Sequence, residues 1–169
     1  YWSEDPRNTY EAIKAVKSAV KIPVWAKIWG EKLLKKDNTL FYEKAGVDAI
    51  SFIGWHGLFR YAAMFIDVKT GKQRGEIPQS VCWGPMIAPF TIKRTADVAR
   101  LTSVPLLPSG GFSRGLDVVE ALMAGASAVQ ISTNAYWYPD VFDTIITEIT
   151  QFMESEKHDN LQRIQGFAL

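Results

Sequence analysis

The chain has 169 residues, of which 47% are hydrophobic, and its formal net charge is +1 at neutral pH. That is enough apolar sequence for the core of one domain, and the nearly balanced charge gives no basis for a nucleic-acid partner. No apolar run is long enough for a transmembrane helix, and no signal peptide is visible. The single cysteine, Cys82, excludes an internal disulfide framework. We therefore expect a cytoplasmic protein.

The first unit of the chain is a helix followed by a strand. Asp5-Pro6 is typical of a helix start, because aspartate caps the first turn and proline is tolerated there. Residues 22–28 are apolar and β-branched, which predicts a buried strand. That strand carries one charge, Lys27, near its carboxyl end. Burying a lysine costs free energy unless an anion or polar ligand meets it; the alternative is a side chain that reaches solvent at the mouth of a barrel.

The second unit is again a helix followed by a strand. Asp37 and Asn38 can cap a helix that runs to about Lys44, and residues 47–53 predict the strand. His56 follows at the carboxyl end of that strand, where barrel enzymes keep their chemistry. A lone histidine is more often structural than catalytic, and the sequence identifies no acid that would pair with it.

Residues 58–89 do not fit a simple strand–helix unit. Their composition predicts a β-hairpin near residues 65–73, inserted in a long loop. An amphipathic helix is predicted over residues 89–102. The residues expected to face the core from that helix are Ile92, Ala96, Ala99 and Leu101.

The strongest pattern is a pair of short strands that end in glycine or hydroxyl residues. Residues 104–108 lead into Ser109-Gly110-Gly111, and residues 126–131 lead into Ser132-Thr133. Glycine lets a backbone approach an anion closely, and the N–H groups of such turns bind anions. In a (β/α)8 barrel, the loops after the last two strands commonly hold a phosphate. The pair therefore predicts a phosphate site; the alternative is that the glycines only make a tight turn.

Four strand–helix units define the fold class. The last two units carry helices over 116–123 and about 140–155, and one more helical turn is expected in the tail. Apolar strands that alternate with helices predict an α/β fold with parallel strands and outer helices. A complete (β/α)8 TIM barrel needs eight units and about 250 residues. We therefore expect residues 1–169 to form the C-terminal half of a TIM barrel with an inserted β-hairpin. The N-terminal half would come from a partner chain or from sequence outside this chain.

These motifs resemble those of the dihydroorotate dehydrogenase and dihydropyrimidine dehydrogenase family, the FMN-binding TIM barrels, over essentially the whole chain. The run from Asp5 through Ala26-Lys27-Ile28 to Ala49 is most similar to the dihydropyrimidine dehydrogenase branch. The resemblance implies that Lys27 contacts the flavin ring and that Gly84 lies beside it. The residues that the resemblance implies for FMN binding are Lys27, Gly84, Ser109, Gly110, Gly111, Ser132 and Thr133.

The departures from the family pattern concern the substrate. The family's pyrimidine-binding Asn-Thr corresponds to Gly54-Trp55 here, and tryptophan does not reproduce the hydrogen bonding of those amide and hydroxyl groups. The family's catalytic cysteine or serine lies on a loop upstream of Asp5, so no catalytic residue is assigned. No metal site is predicted.

The resemblance implies an FMN-dependent oxidoreductase that acts on the CH–CH group of a small-molecule substrate, which need not be a pyrimidine. An electron-transfer subunit is among the expected partners. Two alternatives remain open: a catalytically degenerate subunit that keeps the fold as a scaffold, and a phosphate-binding barrel without flavin. In the second alternative, Lys27 would be a candidate catalytic amine.

Overall fold

Three parallel strands form the central sheet, and helices pack on one of its faces. The computed structural model describes residues 5–53, 65–74 and 83–169. Within those ranges the helices and strands, in chain order, are α1 (Pro6–Ala19), β1 (Trp25–Trp29), α2 (Gly30–Leu33), α3 (Lys36–Lys44), β2 (Ala49–Ile53), β3 (Ile66–Asp67), β4 (Lys72–Gln73), α4 (Ala88–Ala99), β5 (Leu106–Ser109), α5 (Gly115–Met123), α6 (Thr133–Trp137) and α7 (Val141–Ser155). Short 3-10 turns cover Pro85–Ile87 and Leu161–Arg163.

The strand order in the central sheet is β1-β2-β5, and both pairs of neighbours are parallel. In this register Lys27 lies opposite Ser51, and Ile53 lies opposite Ser109. Parallel strands that neighbour each other in chain order and alternate with helices form the wall of a (β/α)8 barrel. The predicted fold class, a partial barrel with parallel strands and outer helices, is confirmed.

The fourth predicted strand, over residues 126–131, is shorter than expected. It forms one parallel bridge, between Ser109 and Gln130, and the Gln130 N–H donates a hydrogen bond of 2.9 Å to Pro108 O. The segment therefore runs beside β5 in the predicted place. A regular strand over its whole length was the wrong expectation, because no described strand pairs with its other edge.

The helices cover only the outward face of the sheet. Ile50 and Phe52 of β2 are fully buried there, in a core that also contains Ile13, Ile28, Leu33, Tyr42, Val98 and Leu106. The inward face is open: Trp25 of β1 is 59% exposed, and Lys27 is exposed as well. The prediction that β1 is buried is therefore wrong on this face, because the described residues do not include a barrel half that would cover it.

A second core lies between α5 and α7, which confirms the two helices predicted over 116–123 and 140–155. The tail contains the one expected helical turn, Leu161–Arg163, and returns the chain to this core. The buried members of this second core are Val118, Val119, Leu122, Val141, Ile145 and Ile164. This core holds α5 behind the turn that follows β5.

The predicted inward face of helix α4 is only partly right. Ile92 and Ala99 are half-buried and pack against the cores, but the most buried positions include Thr91, Arg94, Thr95 and Val98 rather than the predicted residues. The hydroxyls of Thr91 and Thr95 donate to the carbonyls of Ile87 and Thr91, over 3.2 and 2.8 Å. Arg94 Nη1 donates to Gly30 O over 3.2 Å. These polar side chains can be buried because each has a hydrogen-bond partner.

The two predicted helix caps have different outcomes. Asp5 caps α1 as predicted, since its carboxylate accepts from the Arg7 N–H over 2.9 Å. Asp37 and Asn38, however, lie inside the first turn of α3 rather than before it. Asn38 Nδ2 donates to Lys32 O over 3.1 Å. The capping prediction there is wrong, because the amide is used to join α3 to the short helix α2.

The inserted hairpin is confirmed. Strands β3 and β4 are antiparallel, with Ile66 opposite Gln73, and the Asp67 carboxylate accepts from the Lys69 N–H over 2.8 Å. Gly71 in the turn has a φ of +66°, which glycine adopts without strain.

Across the described residues, no helix combines the length and the apolar character that a bilayer crossing requires.

Candidate functional site

A cavity of about 410 Å³ lies at the carboxyl ends of the parallel strands. Its lining comes from the ends of β1, β2 and β5, from the start of α4, and from the segment around Gln130. It brings together all seven residues that the sequence singled out for a cofactor: Lys27, Gly84, Ser109, Gly110, Gly111, Ser132 and Thr133. The two substrate candidates, Gly54 and Trp55, lie outside the described residues, as do His56 and Cys82.

The first turn of the site follows β5 and packs directly on the start of α4. Gly110 and Gly111 have φ values of +124° and +90°, a region that side chains disfavour. A Cβ at Gly110 would lie 3.0 Å from Thr91 Oγ1. A Cβ at Gly111 would overlap the backbone nitrogen of Ala88. Both glycines are thus required by conformation and by packing, whatever the turn binds.

Asp117 holds the residues that follow this turn. Its Oδ2 accepts from Ser113 N, Ser113 Oγ and Arg114 N at 2.9, 3.0 and 3.0 Å, and its Oδ1 accepts from Arg114 Nη2 at 2.8 Å. Burial alone would raise the pKa of Asp117, but these hydrogen bonds together outweigh it and lower the pKa. The carboxylate therefore stays ionised and anchors the loop at the start of α5.

The second turn leads into α6 and is joined to the first. Asn134 Nδ2 donates to Phe112 O over 3.4 Å, so a side chain of α6 meets the backbone just after the two glycines. Among the described residues, the backbone N–H groups of Gly111 and Ser132 find no acceptor. Each turn thus has at least one backbone N–H beside the same cavity without an acceptor among the described residues. Such N–H groups are typical of anion-binding sites.

Lys27 supplies the charge of the site. It is the only charged residue among the described residues that line the cavity. It forms no salt bridge within the described part of the chain. An exposed ammonium that faces a concave surface of otherwise neutral residues favours an anionic or electron-rich ligand.

Sequence reasoning missed three polar residues of the site. Asn134 and Gln130 line the cavity, and the buried Ser51 donates to Gln130 Oε1 over 2.7 Å. Ser51 sits on the inward face of β2, in register with Lys27. The available signal was the alternation of β2, which puts Ser51 on the opposite face from Ile50 and Phe52. Gln130 had no comparable signal, because its contact spans 79 positions of sequence.

Comparison with known proteins gives the family. The family model described as dihydroorotate dehydrogenase matches residues 2–153. The chain belongs to the dihydroorotate dehydrogenase family. Its relatives include the catalytic subunit of dihydroorotate dehydrogenase B (NAD(+)) from Pyrococcus abyssi, which is 32% identical over 167 residues. The corresponding subunit from Methanocaldococcus jannaschii is 33% identical over 166 residues.

The chain spans about half the length of these curated dihydroorotate dehydrogenase relatives. The two alignments cover 98% of this chain, but 54% of the Pyrococcus protein and 52% of the Methanocaldococcus protein. These relatives are named as dihydroorotate dehydrogenases. They support the dihydroorotate dehydrogenase branch of the predicted family rather than the dihydropyrimidine dehydrogenase branch.

A solved structure of a family member has the same fold. The DHODH of Eimeria tenella, in complex with ferulenol, matches with a TM-score of 0.73 and 18% sequence identity. The match covers 96% of this chain and 48% of that one. At this identity the likeness is one of fold, and it agrees with a partial barrel.

The packing of the first turn predicts a specific sensitivity to substitution. Gly111→Ala should lower the free energy of unfolding by about 2 kcal/mol or more, since backbone strain adds to an overlap with α4. Gly71→Ala is the matched control, because Gly71 also has a positive φ but has open space around its Cα. Chemical denaturation of the protein with its complete barrel measures both. Equal losses for the two variants would show that the turn does not pack on α4.

The lowered pKa of Asp117 predicts a pH dependence of stability. A carboxylate with a depressed folded-state pKa contributes stability above its unfolded pKa of about 3.9, and that contribution disappears as the pH falls through the folded value. Asp117→Asn should therefore cost about 1–2 kcal/mol at pH 7 and progressively less below about pH 4. Asp97→Asn, which breaks surface ion pairs with Lys93 and Arg100, should change little. Parallel pH curves for wild type and Asp117→Asn would contradict the assignment.

Proposed function

We propose that this chain is the FMN-phosphate-binding half of a flavin-dependent dehydrogenase of the dihydroorotate dehydrogenase type. The observation that carries the proposal is the meeting of two turns at one cavity. Each turn has a backbone N–H, of Gly111 and of Ser132, without an acceptor among the described residues. A phosphate between the turns would satisfy both N–H groups and would accept from the hydroxyls of Ser109 and Thr133.

The residues present fit the rest of this cofactor. The cavity continues from the two turns to Lys27 and Ile53 at the strand ends, so a ring system joined to a phosphate would lie along a mainly neutral wall. When bound, FMN supplies the hydride-transfer chemistry. The part of Lys27 is to hold a positive charge at the ring edge, which favours the electron-rich reduced state. Gly84, buried and with a φ of +97°, lets the chain pass close beside the ring.

The proposed reaction is a two-electron oxidation of a CH–CH group of a small molecule. The relatives are named for dihydroorotate, and the site residues of this half are compatible with the same class of chemistry. The sequence differs where the family places its pyrimidine-reading Asn-Thr, which is Gly54-Trp55 here. We therefore propose a substrate other than dihydroorotate.

The proposed partners follow from the open inward face and from the relatives' names. Exposed Trp25 and Trp29 need the other barrel half, either from a partner chain or from sequence outside this chain. The relatives are called catalytic subunits of an NAD(+) enzyme, and we propose an electron-transfer subunit that connects the flavin to a nicotinamide.

The first test of this function is the flavin itself. The protein with its complete barrel should be purified with FMN, seen as a flavin absorbance band. Lys27→Met should retain FMN but lower its midpoint potential by roughly 20–65 mV, the equivalent of one charge-assisted hydrogen bond. Lys36→Met, on the exposed surface of α3, is the matched control and should leave the potential unchanged. A complete protein that binds no flavin would instead favour the scaffold or the non-flavin barrel.

The second test concerns the substrate. Wild-type protein should turn over dihydroorotate and dihydrouracil poorly, because Gly54-Trp55 lacks the amide and hydroxyl groups of the family's pyrimidine-binding Asn-Thr. The double variant Gly54→Asn/Trp55→Thr restores those groups and should raise kcat/KM for dihydroorotate by at least about 10-fold. Efficient wild-type turnover of dihydroorotate would refute the proposed substrate difference and leave the flavin proposal standing.

A further inference from the structure

A partly buried hydrogen bond crosses the inward face of the sheet beside the cavity. Ser51 of β2 is 4% exposed, and its hydroxyl donates to Gln130 Oε1 over 2.7 Å. The two residues lie on either side of β5, since Ser51 is paired with Leu107 and Gln130 is bridged to Ser109. The Gln130 side chain therefore reaches along the cavity floor rather than outward to a helix.

This bond determines which end of the amide is left for a ligand. Because the Gln130 side-chain oxygen accepts from Ser51, the side-chain NH2 group is the part of the amide that can donate to a ligand. Among the side-chain hydrogen bonds within the described part of the chain, none has Gln130 Nε2 as its donor, and Gln130 lines the cavity. A primary amide whose oxygen is held by a buried hydroxyl is a preorganised donor.

The position of this donor relative to Lys27 follows from the strand register. Lys27 and Ser51 are directly opposite each other on β1 and β2, and neighbouring strands lie about 4.8 Å apart. The backbone of Gln130 lies beside Ser109, and its side chain extends across β5 to Ser51, the residue that lies opposite Lys27. Two donors, one charged and one neutral, converge on the same part of the cavity.

We propose that Gln130 is a second hydrogen-bond donor to the flavin edge beside Lys27, and that Ser51 is the positioning residue that orients it. This inference rests on the proposed function. The ring edge has carbonyl and nitrogen acceptors that gain negative charge on reduction. A donor held in place by Ser51 strengthens its bond as that charge grows, so the pair favours the reduced over the oxidised cofactor.

The test is a redox titration of the FMN-loaded protein with its complete barrel. Gln130→Glu keeps an oxygen for Ser51 but replaces the donor with a carboxylate oxygen. It should reduce the preference for reduced over oxidised FMN at least about tenfold, which equals a fall in midpoint potential of about 30 mV for a two-electron couple. Ser51→Ala should lower the potential in the same direction, and Ser51→Thr, which restores the hydroxyl, should return it to the wild-type value.

A second serine–glutamine pair in the chain provides the matched control. Gln165 Nε2 donates to Ser127 Oγ over 3.0 Å, and neither residue lines the cavity. Gln165→Glu and Ser127→Ala should leave the potential unchanged. This comparison separates a role at the flavin from a general effect of losing one such bond.

The outcomes distinguish this inference from the proposed function. If the complete wild-type protein binds no FMN, both the proposed function and this inference are overturned. Stoichiometric FMN with an unchanged potential in Gln130→Glu overturns only the role of Gln130. If Gln130→Glu fails to fold or to hold FMN, the Ser51 variants decide: a wild-type potential in Ser51→Ala overturns the inference, and a fall that Ser51→Thr reverses supports it.

Discussion

The site depends on the close packing of one turn against one helix start. Gly110 and Gly111 pass so near to Ile87 and Ala88 that a Cβ at Gly111 has no room. Such contact between two backbones is open only to glycine. It brings the end of β5 and the start of α4 to one side of the cavity. The rest of the site is arranged around that contact, with Asp117 securing the residues that follow the turn.

The two faces of the sheet serve different purposes. The outward face is apolar and buried under helices, where Ile50 and Phe52 contribute to stability through burial alone. The inward face carries Lys27 and Ser51 at the same level, and the amide oxygen of Gln130 accepts from Ser51. A polar inward face is costly in a closed core unless its groups are paired with each other or with a ligand. This distribution is what separates a binding site from an ordinary barrel interior.

Membership of the dihydroorotate dehydrogenase family agrees with this difference between the two faces of the sheet. The chain corresponds to about half of its curated relatives, and its described cavity contains the two turns and the lysine rather than a full pocket. The open inward face, with Trp25 and Trp29 exposed, is the physical counterpart of that partial coverage.

Local sequence determined much of this protein. Apolar periodicity predicted α1, α5 and α7, and apolar β-branched runs predicted the positions of β1 and β2, because those signals depend on residues a few positions apart. The pairing of glycine and hydroxyl turns predicted which residues would gather at one site. Only the tertiary structure decided the buried face of α4, the use of Asn38 as a link to α2, and the bond between Ser51 and Gln130. The Ser51–Gln130 bond and the contact of Arg94 with Gly30 join segments distant in sequence, and the Asn38 link depends on how α2 and α3 meet. An arginine, an asparagine or a glutamine gives no local signal for such contacts.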